Sequence, residues 1–178
     1  MTSLRIYLNG FMGCGKSTVG PVLARRLGWS FVDLDAVIEE ELGQSIASFF
    51  EAHGEAAFRD VERNCLHQTA KDEHTVVAVG GGALIDPANL AWAKAHGTVV
   101  YLELPTGLLL GRLWEGRHER PMLHEPDGEP LDRPAAKGRI EELLAARLPA
   151  YRQADVTVNA STNTAGQLAR RIEAALPL

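Results

Sequence analysis

One short run near the amino end constrains the fold more than any other part of the sequence. Residues 10–18 read GFMGCGKST, which matches the phosphate-binding loop pattern G-x-x-x-x-G-K-[ST]. In that pattern the glycines let the main chain turn so that its N–H groups face phosphate oxygens. The lysine reaches the β- and γ-phosphates, and the hydroxyl binds Mg²⁺. The pattern therefore predicts that Lys16 and Ser17 contact a nucleoside triphosphate and its metal ion.

The flanking sequence supports this interpretation. An apolar, β-rich run at residues 4–8 precedes the loop, and apolar residues recur at helical spacing from residue 19 to residue 27. Gly28 then suits the end of a helix. Strand, loop and helix form the context that a phosphate loop requires, which argues against a glycine-rich turn that carries Lys-Ser by chance. The helix would also direct the positive end of its dipole toward the bound anion.

The rest of the chain alternates strands with helices. Further strands are predicted at residues 29–34, 75–79, 98–102 and 156–159. Further helices are predicted at residues 36–42, 45–50, 55–70, 87–96, 106–114, 135–152 and 166–175. This alternation predicts a single α/β domain over residues 1–178, with a parallel sheet covered by helices on both faces and ligands at the carboxyl ends of the strands.

Residues 115–134 interrupt this alternation. The segment contains four prolines, two glycines and many charges, so we expect it not to pack as a regular element. A connection of this length inside a compact domain is usually functional or disordered. We predict a mobile lid that closes over a nucleotide and excludes water, and a solvated surface loop is the alternative. Arg120 lies in this segment, either as a cation that reaches the transferring phosphate or as one exposed charge among several.

Two aspartates follow the predicted second strand. Asp33 and Asp35 are two residues apart, so they would point to the same side of an extended strand, beside the phosphate loop. One carboxylate there can support Mg²⁺ through its water ligands, and the other can orient the proton of a hydroxyl that attacks the γ-phosphate. Alternatively, Asp35 could cap a helix that starts at Ala36, and Asp33 could be a solvated strand end.

Two arginines and a glycine run are further candidates. Arg147 falls inside the apolar stripe of its predicted helix, where a guanidinium needs an anion or must extend to solvent. Arg59 could bind such an anion, or it could form surface pairs with Glu55 and Glu62. The glycines at 80–82 follow a strand, where they could let the main chain approach a ligand or could form a flexible turn.

Composition narrows the class of protein. A chain of 178 residues with 46% hydrophobic residues is large enough for one domain. The formal net charge of −5 argues against nucleic acid or an anionic membrane as the main partner. The two cysteines do not suggest a disulfide framework, the histidines show no metal-ligand spacing, and no stretch resembles a secretion signal or a membrane span. We therefore expect a cytoplasmic location.

Taken in order along the chain, these residues resemble the shikimate kinase family. The motifs that carry the resemblance are the phosphate loop, Asp33-Leu-Asp35, Glu55 with Phe58-Arg59, Gly80-Gly81-Gly82-Ala83, Arg120-Pro121-Met-Leu123 and Arg147-Leu-Pro149-Ala-Tyr151. The resemblance implies a three-layer α/β/α fold of the nucleoside-monophosphate-kinase type, with a five-stranded parallel sheet, and a protein that is usually monomeric. It also implies that ATP phosphorylates the 3-hydroxyl of shikimate, on the route to chorismate and the aromatic amino acids.

The resemblance assigns roles to particular residues. The implied catalytic residues are Lys16, Asp35 and Arg120. The implied nucleotide-binding residues are Gly13, Cys14, Gly15, Lys16, Ser17, Thr18, Arg120 and Thr164. The implied substrate-binding residues are Asp35, Arg59, Gly80, Gly81, Gly82 and Arg147. The implied residues at the Mg²⁺ ion are Ser17, which would bind it directly, and Asp33, which would support it through water.

Within these sets the functions differ. The two guanidinium groups of Arg59 and Arg147 would hold the substrate carboxylate, and Asp35 would contact the reacting hydroxyl. Arg120 would contact ATP from the lid, and Thr164 stands where many family members place residues against the adenine. The physical interpretation and the resemblance agree on an anionic polyol as the acceptor, with two cations for its carboxylate and an acid near its hydroxyl.

Two rival functions fit the same loop. One is another small-molecule kinase, such as a gluconate or nucleoside-monophosphate kinase, and the ordered Asp-x-Asp, Gly-Gly-Gly and Arg-Pro-x-Leu motifs argue against it. The other is a kinase-like binding or regulatory module that has lost catalysis. The presence of Lys16, Ser17 and both aspartates argues against that second rival.

Overall fold

The computed structural model describes residues 5–116, 121–125, 127–161 and 164–177. At its centre lies a parallel sheet of five strands: β1 Arg5–Asn9, β2 Ser30–Asp33, β3 Thr75–Ala78, β4 Thr98–Glu103 and β5 Val156–Asn159. The strand order is β2-β3-β1-β4-β5, and each neighbouring pair is parallel. The expected α/β class and the five-stranded parallel sheet are therefore confirmed, and the strand that leads into the phosphate loop occupies the centre.

Helices connect the strands. In the described ranges they are α1 Lys16–Leu27, α2 Leu34–Leu42, α3 Ile46–Gln68, α4 Pro87–His96, α5 Thr106–Trp114, α6 Arg133–Tyr151 and α7 Ala165–Ala175. The boundaries agree with the sequence prediction to within a few residues. The two helical stretches predicted on either side of Gly54 form one element, α3, with a kink at that glycine (φ 79°, ψ 177°). None of the helices in the described ranges has the length and apolar character that a membrane span would need.

Alternate strand residues pack into two hydrophobic cores. Ile6 and Leu8 of β1 belong to one core, which the helices α1, α5, α6 and α7 complete. Tyr7, between them, belongs to the other core, which α2, α3 and α4 complete. Because the central strands are covered on both faces, their sequences read as nearly continuous apolar runs. The sheet thus lies between two helical layers, as the three-layer prediction required.

A close contact joins α1 to the edge strand β2. A Cβ atom placed on Gly20 of α1 would lie 2.2 Å from the Phe31 ring, so any larger residue here would force the ring or the helix to move. The contact holds α1, which begins at Lys16, against β2, which ends at Asp33. The phosphate loop and the end of β2 are therefore positioned at the same edge of the sheet.

The described part of segment 115–134 is more regular than expected. Pro121–Leu123 form a 3₁₀ turn, and the side chains of Leu123 and Leu131 are buried in the first core. The Leu131 amide donates to the Leu123 carbonyl over 2.8 Å. The segment also ends inside α6, whose first turn contains a proline and is capped by the Asp132 side chain. The expectation that this segment packs as no regular element is wrong for these residues, because two leucines anchor it.

Candidate functional site

The phosphate loop leads from β1 into α1. Gly10, Gly13 and Gly15 have φ values of 140°, 77° and 105°, which side chains of L-residues rarely adopt. Gly15 precedes the first residue of α1, and no side chain caps that helix end. The first main-chain N–H groups of α1 are therefore left for an anion, as the sequence pattern predicts.

The Lys16 ammonium group lies against its own loop. Its Nζ atom donates to the carbonyl oxygens of Gly10 at 2.8 Å and Phe11 at 3.2 Å, and it approaches the Cys14 Sγ atom at 3.8 Å. These partners are uncharged. A phosphate oxygen, which carries a full charge, forms a stronger hydrogen bond to an ammonium group and would displace them.

Asp33 uses its two carboxylate oxygens for two different contacts. The Ser17 hydroxyl donates to Oδ2 over 2.6 Å, and the Asp35 amide donates to Oδ1 over 3.1 Å. The second bond caps α2, which begins at Leu34. Two expectations about these residues are therefore wrong. The helix cap is Asp33 rather than Asp35, and Asp35 lies in the first helical turn rather than on an extended strand.

Asp35 nevertheless lies in the same cavity as Asp33. This first cavity, of about 310 Å³, is also lined by Lys16 and Ser17. Burial raises the pKa of the Asp35 carboxyl above its ordinary value, the Asp33 charge raises it further, and the Lys16 charge opposes the rise. A carboxylate whose proton affinity is raised in this way is better suited to accept a proton from a hydroxyl group.

The glycine run at 80–82, here called the triglycine turn, is crowded by side chains. A Cβ atom on Gly80 would lie 3.0 Å from Asp35 Oδ1 and 3.2 Å from Glu62 Oε1. A Cβ atom on Gly82 would lie only 2.8 Å from the Arg59 Nη2 atom. Because these residues are glycines, the charged side chains of Asp35, Glu62 and Arg59 can approach the main chain closely. The alternative interpretation, a flexible turn, does not account for this packing.

Arg59 is held by a buried carboxylate. Its guanidinium group donates to Glu62 Oε2 over 2.6 Å and to Glu55 Oε1 over 3.4 Å. Glu62 is only 2% exposed, and burial raises its pKa while Arg59 opposes that rise. The Glu55 contact matches the predicted surface pair. The Glu62 contact does not, because a buried ion pair fixes the guanidinium group in one position.

Arg147 approaches from α6 on the other side. Its guanidinium carbon lies 5.5 Å from the centre of the Phe11 ring. Arg59 and Arg147 both line a second cavity, of about 420 Å³, together with Gly82. No carboxylate of the described residues lies within 4.0 Å of the Arg147 guanidinium. Two arginines from different helices thus meet at one cavity, as the sequence predicted.

The two cavities adjoin at the triglycine turn. Gly80 and Gly81 line the first cavity, and the next residue, Gly82, lines the second. One cavity presents a phosphate loop with a lysine and two carboxylates, and the other presents two guanidinium groups. The arrangement can hold a polyphosphate on one side of the turn and a small hydroxylated acid on the other.

Comparison with known proteins shows the family of this chain. The family model described as shikimate kinase matches residues 12–177. A shikimate kinase of Salinibacter ruber is 47% identical over 170 residues, which cover 96% of this chain and 83% of the relative. The chain belongs to the shikimate kinase family. Its members' reaction is therefore its own: the ATP-dependent phosphorylation of shikimate, in the biosynthesis of the aromatic amino acids.

Solved structures of the family superpose closely on this fold. The shikimate kinase of Bacteroides thetaiotaomicron is 33% identical with a TM-score of 0.87, and the match covers 97% of this chain and 98% of that one. The shikimate kinase of Acinetobacter baumannii, solved in complex with shikimate, is 36% identical with a TM-score of 0.85. That match covers 97% of this chain and 92% of the other.

Three further residues that the family resemblance assigns to nucleotide binding are Cys14, Thr164 and Arg120, and the structure gives less support for their roles. Cys14 is fully buried, its amide donates to the Phe11 carbonyl oxygen over 3.2 Å, and it lines neither cavity, so its role in nucleotide binding stays a prediction. Thr164 caps α7, where its hydroxyl accepts from the Gln167 amide over 3.2 Å. Arg120 lies outside the described residues. The roles of Arg120 and Thr164 in nucleotide binding stay predictions.

Sequence reasoning missed one residue at the phosphate loop. It gave no role to Arg112 of α5, but the Nη1 atom of this residue donates to the Gly13 carbonyl over 3.2 Å. A Cβ atom on Gly15 would lie 3.5 Å from the same nitrogen. Only the strand order of the sheet could have placed Arg112 there. The strand β4, which leads into α5, is the neighbour of β1, which leads into the phosphate loop. That order cannot be read from the sequence around Arg112 alone.

Proposed function

We propose that the first cavity holds the triphosphate of ATP and that the second holds the carboxylate of shikimate. The 3-hydroxyl of shikimate then lies between them, beside Asp35. One observation carries this proposal: the phosphate loop and the arginine pair open onto consecutive residues of the triglycine turn. A donor and an acceptor that share this boundary are held close together, and such positioning supplies much of the rate in phosphoryl transfer.

Each charged residue then has one task. Lys16 exchanges its two loop carbonyls for β- and γ-phosphate oxygens and neutralises charge on the transferring group. Asp35 accepts or orients the proton of the attacking hydroxyl. Arg59 and Arg147 bind the carboxylate, which fixes the orientation of the ring. Gly13, Gly15 and Thr18 complete the cradle of main-chain N–H groups around the phosphates.

The same cavity suits a magnesium ion. The Ser17 hydroxyl and the Asp33 carboxylate are already in contact, so two oxygen donors converge at its wall. Mg²⁺ prefers oxygen ligands, keeps several of its waters, and is usually held by one or two protein groups together with substrate phosphates. Ser17 would bind the ion directly and Asp33 through water. When bound, the ion would neutralise charge on the β- and γ-phosphate oxygens.

The lid and the oligomeric state complete the proposal. A lid within segment 115–134, with Leu123 and Leu131 remaining in the core, closes over the nucleotide and brings Arg120 to the phosphates, while Thr164 lies near the adenine. The protein acts as a monomer, as the family resemblance implies.

A coupled assay of ADP release tests the function. With ATP and Mg²⁺, shikimate should give turnover, whereas gluconate and nucleoside monophosphates should give none above background. A chelator should abolish the turnover and added Mg²⁺ should restore it. Turnover with gluconate or a nucleoside monophosphate, and none with shikimate, would overturn the substrate assignment, and activity that persists in the chelator would overturn the metal site.

Replacement of Arg147 separates acceptor binding from nucleotide binding. We expect Arg147→Ala to raise the shikimate KM by about 10- to 100-fold, because one charge-assisted hydrogen-bond partner of about 1.5–3 kcal/mol is lost. The ATP KM should change by less than about twofold, since no phosphate contact is removed. Steady-state kinetics with each substrate varied in turn would measure both constants.

The control for this variant lies on the same helix. Arg139 of α6 is exposed, and Arg139→Ala removes the same charge from the chain. It should leave both KM values at their original level. A wild-type shikimate KM in Arg147→Ala would remove this residue from the acceptor site.

A further inference from the structure

Tyr151, the last residue of α6, is tied to the triglycine turn. Its hydroxyl donates to the Gly81 carbonyl oxygen over 2.6 Å, although the two residues are 70 positions apart in sequence. The side chain is fully buried and its ring stacks on Tyr101, with the ring centres 5.2 Å apart. The hydroxyl is therefore held in place by packing as well as by its hydrogen bond.

Gly81 is the point at which three parts of the site meet. A Cβ atom on it would lie 3.4 Å from the Gly10 carbonyl oxygen and 3.5 Å from the Met12 nitrogen, both in the phosphate loop. The same atom would lie 3.5 Å from the Arg147 Nη1 atom. The main chain at Gly81 is thus enclosed between the donor side of the site and the acceptor side.

Arg147 and Tyr151 are four residues apart on α6, so they lie on the same face of the helix, one turn from each other. A single turn of α6 consequently supplies a cation to the acceptor cavity and a hydrogen bond to the turn that separates the two cavities. Tyr151 itself lines neither cavity. Its influence on the reaction must pass through Gly81 and Arg147.

We propose that Tyr151 is a positioning residue that sets the distance between the phosphate loop and the acceptor site. Its hydroxyl fixes the Gly81 carbonyl, and this bond keeps the triglycine turn, the phosphate loop and Arg147 in register. The proposal rests on the function proposed above, because it assumes that the second cavity holds the acceptor. Small displacements at such a boundary are costly, since phosphoryl transfer depends on close alignment of the donor and the acceptor.

The chemistry of the phenol fits this role. Burial raises the pKa of Tyr151 to about 12, and the Arg147 charge opposes the rise. The hydroxyl therefore keeps its proton and remains a donor throughout the neutral pH range. Without it, the Gly81 carbonyl would lose the hydrogen bond that fixes its position.

The test compares two Tyr→Phe variants. Tyr7 is also fully buried, and its hydroxyl hydrogen-bonds to the Thr69 Oγ1 atom over 3.3 Å, away from both cavities. Tyr151→Phe and Tyr7→Phe thus each remove one buried phenolic hydroxyl. We expect Tyr151→Phe to raise the shikimate KM and to lower kcat, with a combined loss in kcat/KM of about 10-fold, and to leave the ATP KM within about twofold. Tyr7→Phe should keep wild-type kinetics.

Amide hydrogen exchange gives a second readout that needs no substrate. Exchange at the triglycine turn should become faster in Tyr151→Phe and remain unchanged in Tyr7→Phe. Wild-type kinetics and exchange in Tyr151→Phe would overturn the proposal, and so would equal losses in both variants. If wild-type protein failed to phosphorylate shikimate, the proposed function would fail, whereas the exchange comparison would still decide whether Tyr151 holds the turn.

A further variant serves if Tyr151→Phe does not fold. Tyr101→Leu removes the ring on which Tyr151 stacks and leaves the Tyr151 hydroxyl in the chain. A rise of about twofold or more in the shikimate KM, with no change in the ATP KM, is expected because the hydroxyl is less firmly held. An unchanged shikimate KM in this variant would contradict the proposal.

Discussion

Lys16→Ala is expected to lower kcat by about 1,000-fold or more, which corresponds to roughly 4 kcal/mol of lost transition-state stabilisation. The estimate follows from the position of the ammonium group. It lies inside the loop on two carbonyl oxygens, so it reaches the phosphates with little reorganisation. Charge that develops on the transferring group would then have no lysine to neutralise it. Single-turnover measurements with saturating ATP and shikimate would report the chemical step directly.

Lys94→Ala is the matched control for this variant. Lys94 also donates to a carbonyl oxygen, that of Gln153 at 2.7 Å, and it pairs with Asp155 over 3.0 Å, away from both cavities. Its removal should leave kcat unchanged. Near-normal turnover in Lys16→Ala, in protein that melts like the wild type, would refute the assigned role of the phosphate loop.

Asp35→Asn is expected to produce the second large loss, about 100- to 10,000-fold in kcat, because a general base is removed while the shape of the side chain is kept. The ATP KM should change little, since Ser17 and Asp33 remain. Asp60→Asn is the control: Asp60 lies on α3, and its side chain is 74% exposed. Turnover in Asp35→Asn within tenfold of the wild-type rate would show that proton transfer does not depend on this carboxylate.

The raised pKa of Asp35 also predicts how activity and stability depend on pH. Activity should decline as the pH falls through a value above the ordinary 3.8, because the protonated acid cannot accept a proton. Stability behaves in the opposite way. The folded protein binds this proton more tightly than the unfolded chain does, so the stabilising contribution is complete below the unfolded pKa and is lost as the pH rises through the folded pKa. At neutral pH, Asp35→Asn should therefore melt at or above the wild-type temperature.

Local patterns in the sequence were sufficient for most of the fold. The phosphate loop was predicted correctly because its glycines are required by main-chain geometry that does not depend on the rest of the protein. The helix α4, from Pro87 to His96, was predicted to the residue because Asp86 and Pro87 form a strong local start signal. Features of this kind are determined by a few neighbouring residues, so they can be read without a structure.

The sequence predictions were wrong where contacts between residues that are distant in the sequence determine the local structure. Glu62 reads as a surface partner of Arg59, and only the packing of α3 against the sheet shows that it is buried. The end of β2 was predicted one residue late and the start of α2 two residues late, because the Asp33 side chain caps α2 and so begins the helix early. Segment 115–134 looked irregular from its composition, yet Leu123 and Leu131 reach the first core. In each case tertiary contacts outweigh the local signal.

The grouping of the candidate residues was predicted better than their local geometry, and their roles stay predictions. Asp35 was correctly assigned to the cavity of the phosphate loop, although it approaches from a helix and not from a strand. Arg59 and Arg147 lie at one cavity, as the family resemblance implied; the apolar stripe of α6 pointed to Arg147 alone, and the binding role of the pair stays a prediction. Tyr151 was named only as part of a family motif and was given no role, because a sequence does not show that its ring packs in the core while its hydroxyl bonds to Gly81.

The close approach of Gly20 to Phe31 has a bearing on how the protein tolerates sequence change. Gly20 lines neither cavity. It lies three residues after Ser17 on α1, however, and it contacts Phe31, which lies two residues before Asp33 on β2. A side chain at 20 would displace the Phe31 ring or α1, and a displaced α1 would separate the Ser17 hydroxyl from the Asp33 carboxylate. Random mutagenesis with selection for growth should therefore find this interior site as intolerant as the residues that meet the ligands, and the enzyme can be inactivated by crowding at a distance.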